Sequence, residues 1–167
     1  MASLECRPPV ALRKSMCDHH AIWEYIRIIP SDPGLGQDVQ EAIIAELERQ
    51  EWAAHDVFSI RLALEEGVTN AIKHGNRYDT AKSVHVACCI WPELFRVSIS
   101  DEGPGFNPAR VPDPTDPEHI DAPCGRGILL MRSFMTRVQF NEKGNEVILE
   151  KEKSACDASV DTSTCEN

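Results

Sequence analysis

Glu66, Asn70 and Lys73 stand four and then three residues apart in the stretch Leu64–Gly75, so on a helix all three share one face. The amide oxygen of Asn70 suits magnesium, a hard ion that seeks oxygen ligands. A carboxylate one turn away, Glu66, can orient or deprotonate a hydroxyl nucleophile. Taken alone, the trio equally suits a solvated polar stripe, since Glu and Lys commonly share exposed faces. Gly67 lies among them, where a glycine costs ~1 kcal/mol relative to alanine. It marks either a close approach to the backbone or tight helix packing.

Two further clusters follow. Ser98–Phe106 reads as a strand running into DxGxG, with Asp101, Gly103 and Gly105 at its end. Asp101 can accept a hydrogen bond from an exocyclic amino group such as that of adenine, and the glycines keep side chains away from a flat base. Gly125, Arg126 and Gly127 then open a helix, where exposed N–H groups bind phosphate oxygens and Arg126 adds a charge-assisted fork. In isolation the first is an ordinary acidic turn and the second a flexible loop.

The elements that must position these residues are legible. Ile22, Glu24, Ile26 and Ile28 predict a first strand, ended by Pro30–Gly34. Leu35, Val39, Ala42, Ile43 and Leu47 recur at helical spacing. A second helix is expected from Asp56, as N-cap, to Gly75, as a left-handed stop. Strands are expected over Val84–Trp91 and Leu94–Asp101, followed by a Pro-, Asp- and Gly-rich lid over 102–124. A third helix starts near Gly127, and Val138, Phe140, Val147 and Leu149 form a closing hairpin. This order predicts an α+β two-layer sandwich, a mainly antiparallel sheet with helices on one face. Residues 1–20 and 154–167 read as tails around one domain over 21–153.

An ExxxN helix, a DxGxG turn, a long lid and a GxG helix start, in that order, resemble the GHKL (Bergerat) ATP-binding fold of gyrase, heat-shock chaperones, histidine kinases and MutL. Residues 66–75, 101–106 and 125–131 most resemble the anti-sigma-factor serine kinases of the RsbW type. The resemblance implies ATP and Mg2+ as cofactors, with Asn70 holding magnesium against the phosphates and Asp101 reading adenine. Lys73, Gly103 and Gly105 would join the ATP site, and Gly125, Arg126 and Gly127 the part that closes on the phosphates. Glu66 would be the catalytic base toward a serine or threonine on a small antagonist, an anti-anti-sigma protein of the STAS type. Proteins of this kind also sequester a sigma factor, often as homodimers. The alternative is a nucleotide-dependent binding regulator without kinase activity.

Three departures stand out. Gly144-Asn145 replaces the family's common Gly-Thr, so that contact near the nucleotide is in doubt. The lid carries Pro108, Pro112, Pro114, Pro117 and Pro123, which stiffen it. Glu65 is turned ~100° from Glu66 on a helix and faces elsewhere. A histidine-kinase catalytic domain would need a phosphoacceptor hairpin, and a gyrase or MutL relative a downstream transducer domain. The sequence offers neither.

The chain of 167 residues has a net charge of −10, which excludes a bulk electrostatic grip on nucleic acid. Any effect on transcription is therefore expected to act through proteins. No apolar run suggests a signal peptide or membrane span, so a cytoplasmic location is expected. The seven cysteines include no CxxC, which predicts reduced thiols rather than zinc or a disulfide framework. Cys88 and Cys89 fall on opposite faces of one strand, at least one of them buried.

Overall fold

The computed structural model describes residues 20–107 and 126–155. The expected lid from Pro108 onward, Gly125 and both tails beyond these limits lie outside the described residues. Strand β1 (Trp23–Pro30) leads into helices α1 (Pro33–Arg49) and α2 (Ala54–Thr69), and α2 runs on as a π-helical turn, Asn70–Gly75. Strands β2 (Ser83–Ile90) and β3 (Leu94–Asp101) follow, then α3 (Arg126–Phe134), β4 (Arg137–Phe140) and β5 (Glu146–Glu152). The five strands form one antiparallel sheet in the order β1-β2-β3-β5-β4. The α+β sandwich is as the sequence predicts.

Alternation decides which side of the sheet the helices cover. Val84, Val86, Cys88 and Ile90 of β2 join Phe95, Val97 and Ile99 of β3 and Val147 and Leu149 of β5 in the buried core. Against them pack Val39, Ile43, Ile44 and Leu47 from α1, and Val57, Ile60, Leu64 and Val68 from α2. In β1 the core side is carried by Trp23, Tyr25 and Ile29, paired with Ile90, Cys88 and Val84. Ile26 and Ile28, which signal the strand in the sequence, therefore point to the other face.

Helix α1 starts as its residues dictate. The Asp32 side chain accepts from the Leu35 N–H at 3.0 Å, and Pro33 occupies the first turn, where no N–H is needed. Helix α2 differs from expectation. Its N-cap is Ala53, with no side-chain cap, and Asp56 sits fully buried in the first turn. The Asp56 carboxylate instead accepts the Ser154 N–H at 2.8 Å and its hydroxyl at 2.9 Å, with Lys151 at 3.5 Å. A buried charge needs such partners, and this one fastens the end of β5 to the start of α2. Ser154, the first residue of the expected tail, is thus docked on the domain.

Gly67 is a packing glycine. A Cβ there would stand 2.8 Å from Ile99 Cδ1, because α2 lies directly on β3. Gly75 is not a left-handed stop: the positive φ angles fall later, at Arg77 (57°) and Tyr78 (59°). Cys88 is a free thiol buried in the core, and burial pushes its pKa well up. Cys89 is disulfide-bonded, against the expectation of reduced thiols throughout. Its side of the sheet is the one the helices leave uncovered. Among the described residues no helix is long and apolar enough to cross a membrane.

Candidate nucleotide site

The π-helical turn delivers the main chain to the end of β3. Its wider winding, common at functional sites, carries the chain so that the Asn76 N–H reaches the Ala71 carbonyl at 2.9 Å and the Tyr78 N–H the Ile72 carbonyl at 2.9 Å. Gly75 is thereby pressed on the Asp101 carboxylate, and any side chain at Gly75 would collide with it. Gly103 lies on the Gly75 carbonyl with the same intolerance of a side chain, and its N–H donates to Asp101 Oδ1 at 2.7 Å. Gly75, Asp101 and Gly103 form one corner, walled by main chain and floored by a carboxylate.

That corner is braced on both sides. Asn76, fully buried, donates through Nδ2 to Ser31 Oγ (2.8 Å) and the Ser83 carbonyl (2.9 Å). Its Oδ1 accepts the Glu102 N–H at 2.9 Å. One amide thus ties the ends of β1 and β3 to the start of β2. On the other side the Asp101 N–H donates to the Asn145 carbonyl at 2.9 Å, and Asn145 Nδ2 donates to the Asp101 carbonyl at 2.7 Å.

The loop leaving the corner interlocks with the β4–β5 turn. Gly105 (φ 75°) sits against the Lys143 carbonyl and Gly144 (φ 72°) against the Phe106 carbonyl, so neither position has room for a Cβ. Phe106 also meets Phe140 edge-on at 5.3 Å. Burial raises the Asp101 carboxyl above its ordinary value, while the Gly103 N–H, Lys143 and Lys82 pull it back. Desolvation is the larger effect.

The second part of the site lies where α2 meets α3. Gly127, in the first turn of α3, rests against Glu66 Oε2, and a Cβ there would stand 3.5 Å from Asn70 Nδ2. Residues from the first and third sequence clusters are therefore in contact. Arg126 opens α3 and is exposed. Lys73 is exposed on the π turn. Glu65 is exposed on α2, while Glu66 is half-buried toward α3.

Asn70 offers an amide oxygen that could hold a magnesium ion, while Glu66 beside it lies against Gly127. No group of three or more His, Cys, Asp or Glu is set to hold a metal among the described residues. One amide oxygen fits an ion that takes few protein ligands and completes its shell with phosphate and water. A separate concavity of about 340 Å³, lined by Trp91, Pro92, Glu93, Leu94 and Arg96, lies at the opposite end of β3 and belongs to other surroundings. Sequence reasoning missed Asn76, Lys82 and Lys143, and assigned Gly75 only a terminating role. An asparagine directly after the glycine is the local hint of Asn76.

Comparison with known proteins agrees with this geometry. Residues 29–151 match the family model of the histidine kinase-like ATPase domain. An anti-sigma F factor of Clostridium perfringens is 29% identical over 116 residues, 66% of this chain and 80% of that protein. The serine-protein kinase RsbW of Bacillus subtilis is 24% identical over 136 residues, 77% of this chain and 85% of that one. The crystal structure of the RsbU and RsbW domains of a Mycobacterium tuberculosis protein superposes with a TM-score of 0.53 at 16% identity. It covers 78% of this chain and 32% of that one, and supports the fold alone. With the matched model spanning most of the chain, over the same residues that build the corner and the α2–α3 contact, the protein belongs to the histidine kinase-like ATPase domain family, in its RsbW-type branch.

Proposed function

We propose that the protein is an ATP-dependent serine/threonine kinase and anti-sigma factor, which phosphorylates a small antagonist protein and sequesters a sigma factor. The observation that carries the reading is the meeting of Glu66, Asn70 and Gly127 at one end of a site whose other end is the Gly75–Asp101–Gly103 corner. Asp101 Oδ2 accepts the adenine amino group while Oδ1 is held by Gly103. Gly75 and Gly103, lacking side chains, let the main chain close on that carboxylate and hold it in place. At the far end the N-terminus of α3 and Arg126 face the phosphates, and Asn70 would hold magnesium. When bound, that ion offsets phosphate charge.

Glu66 takes the proton of the substrate hydroxyl as its oxygen forms a bond to the γ-phosphorus. The bond from that phosphorus to the β–γ bridging oxygen breaks, and ADP leaves with the electron pair. Such transfer rests mainly on positioning and charge neutralisation. The sigma factor is supported by the name of one relative, an anti-sigma F factor, and the kinase activity by that of another, a serine-protein kinase RsbW; the STAS-type partner is what the family resemblance implies.

The test uses the purified protein, Mg-ATP labelled at the γ-phosphate, and STAS-type proteins encoded near its gene. Label on a serine or threonine, lost in Glu66→Gln with ATP binding kept, is the expected result. Tight ATP binding with no transfer to any of them would replace the kinase by a nucleotide-dependent sequestering protein. No ATP binding would overturn both.

A further inference from the structure

Asn145 stands where the sequence departs from the Gly-Thr pattern, and its side chain is turned toward the protein. The β3–β5 ladder ends with Ser100 opposite Glu146. One step further Asp101 faces Asn145, and half of the next rung is regular: the Asp101 N–H donates to the Asn145 carbonyl at 2.9 Å. The other half cannot come from the Asn145 main chain, whose N–H is drawn into the turn by Asn141 Oδ1 at 3.1 Å. The side chain supplies it, with Nδ2 donating to the Asp101 carbonyl at 2.7 Å. Asn141 Nδ2 donates to Asn145 Oδ1 at 3.0 Å, which fixes the amide so that its N–H2 faces Asp101.

We propose that Asn145 is a positioning residue for nucleobase selection: it completes the last rung of the sheet and so fixes the direction in which the Asp101 carboxylate meets the base. A carboxylate separates adenine from guanine by accepting from the 6-amino group and repelling the 6-oxo oxygen. That difference depends on direction, because a hydrogen bond weakens steeply off line. Both main-chain polar groups of Asp101 are held by this one residue, so loosening it releases the base-reading group without touching the ligand. A threonine here would place its hydroxyl one bond closer to its own backbone and fall short of the Asp101 carbonyl. The inference rests on the proposed adenine reading by Asp101.

The test compares ATP and GTP binding with magnesium, by calorimetry, in the full chain and in Asn145→Ala and Asp101→Asn. Asn145→Asp keeps the acceptor for Asn141 and removes the donor, and serves if the alanine variant fails to fold. Loss of one hydrogen bond predicts ATP affinity weaker by roughly three- to tenfold. GTP affinity should hold steady and the thermal midpoint change little, so the preference for ATP shrinks by the same factor. Equal weakening of both nucleotides, or ATP affinity unchanged, would overturn the proposal. If Asp101→Asn loses the preference while Asn145→Ala keeps it, the positioning role falls and the base reading stands. If Asp101→Asn keeps the preference, the base reading itself falls and takes the positioning role with it.

Discussion

The two ends of the site are built by different means. At the base end, main chain meets main chain: Gly103 on the Gly75 carbonyl, Gly105 on the Lys143 carbonyl, Gly144 on the Phe106 carbonyl, with Asn76 and Asn145 bracing the turn. At the transfer end the chain touches through a side chain, the Glu66 carboxylate against Gly127. Main-chain contacts cannot relax without moving strands, whereas a glutamate can swing through its rotamers. On the proposed reading the base end is thus a rigid recognition feature, and the transfer end leaves Glu66 able to move.

The sharpest break falls at the transfer end. Glu66→Gln should lower phosphoryl transfer by about 10²–10⁴-fold while leaving the Kd for ATP unchanged, as single-turnover assays beside calorimetry would register. Gly105→Ala should do the reverse and damage the fold itself. A left-handed alanine costs about 1–2 kcal/mol, and the Lys143 carbonyl in its path adds about 1–3 kcal/mol of overpacking. Urea unfolding would show a loss of roughly 2–5 kcal/mol from those terms together.

Gly127→Ala separates the two ends most cleanly. Its methyl group would push the Glu66 carboxylate aside, and a displacement of about 1 Å can cost roughly 10²-fold in rate. Alanine is also the better helix former, by ~1 kcal/mol. Transfer should therefore fall while the thermal midpoint holds or rises; loss of both would mean that Glu66 is as rigidly placed as the base end.

The smallest effect is one of pH. The Asp101 carboxyl titrates above its ordinary value of 3.8 because burial disfavours its charge. Recognition of the adenine amino group needs the ionised form, so ATP binding should weaken on acidification while the pH is still above 3.8. Stability runs the other way. A carboxyl whose pKa is raised by folding contributes most when protonated, and that contribution is lost as pH rises through the folded-state value. Asp101→Asn should therefore remove the pH dependence of ATP binding, abolish the preference for ATP, and leave the thermal midpoint at neutral pH unchanged or slightly higher.

How much of this could be read from the sequence depends on whether the signal is local. Strand β3 is legible to the residue, since Phe95, Val97 and Ile99 alternate with polar neighbours until Asp101 meets a Gly-Pro turn. The helix that carries Glu66 is legible because the spacing is helical, whereas the π winding of Asn70–Gly75 that follows it leaves no such signal. Asp56 is not, because its type suits an N-cap and its actual partners, Lys151 and Ser154, lie far away in the chain. The same holds for Asn76 and Asn145, polar residues beside glycines that look like ordinary turn formers until the sheet brings Glu102 and Asp101 to them. Gly67 left two explanations open, and only the approach of Ile99 selects packing. The bond at Cys89 leaves no spacing signature, and the predicted thiols there were an inference from missing motifs.

The π-helical turn makes the site sensitive to length as well as to chemistry. Over Asn70–Gly75 each turn holds more residues than in the α-helix that precedes it. Deleting a single residue between Ala71 and His74 would let this stretch relax to α winding, with Glu66, Asn70, Gly75 and Asp101 all still present. Gly75 would nevertheless rotate off the carboxylate, and Asn76 would lose its reach to Ser31, Ser83 and Glu102. Such a shortened chain would spell every motif and fail to assemble the corner, so the count of residues in this turn is itself part of the recognition code.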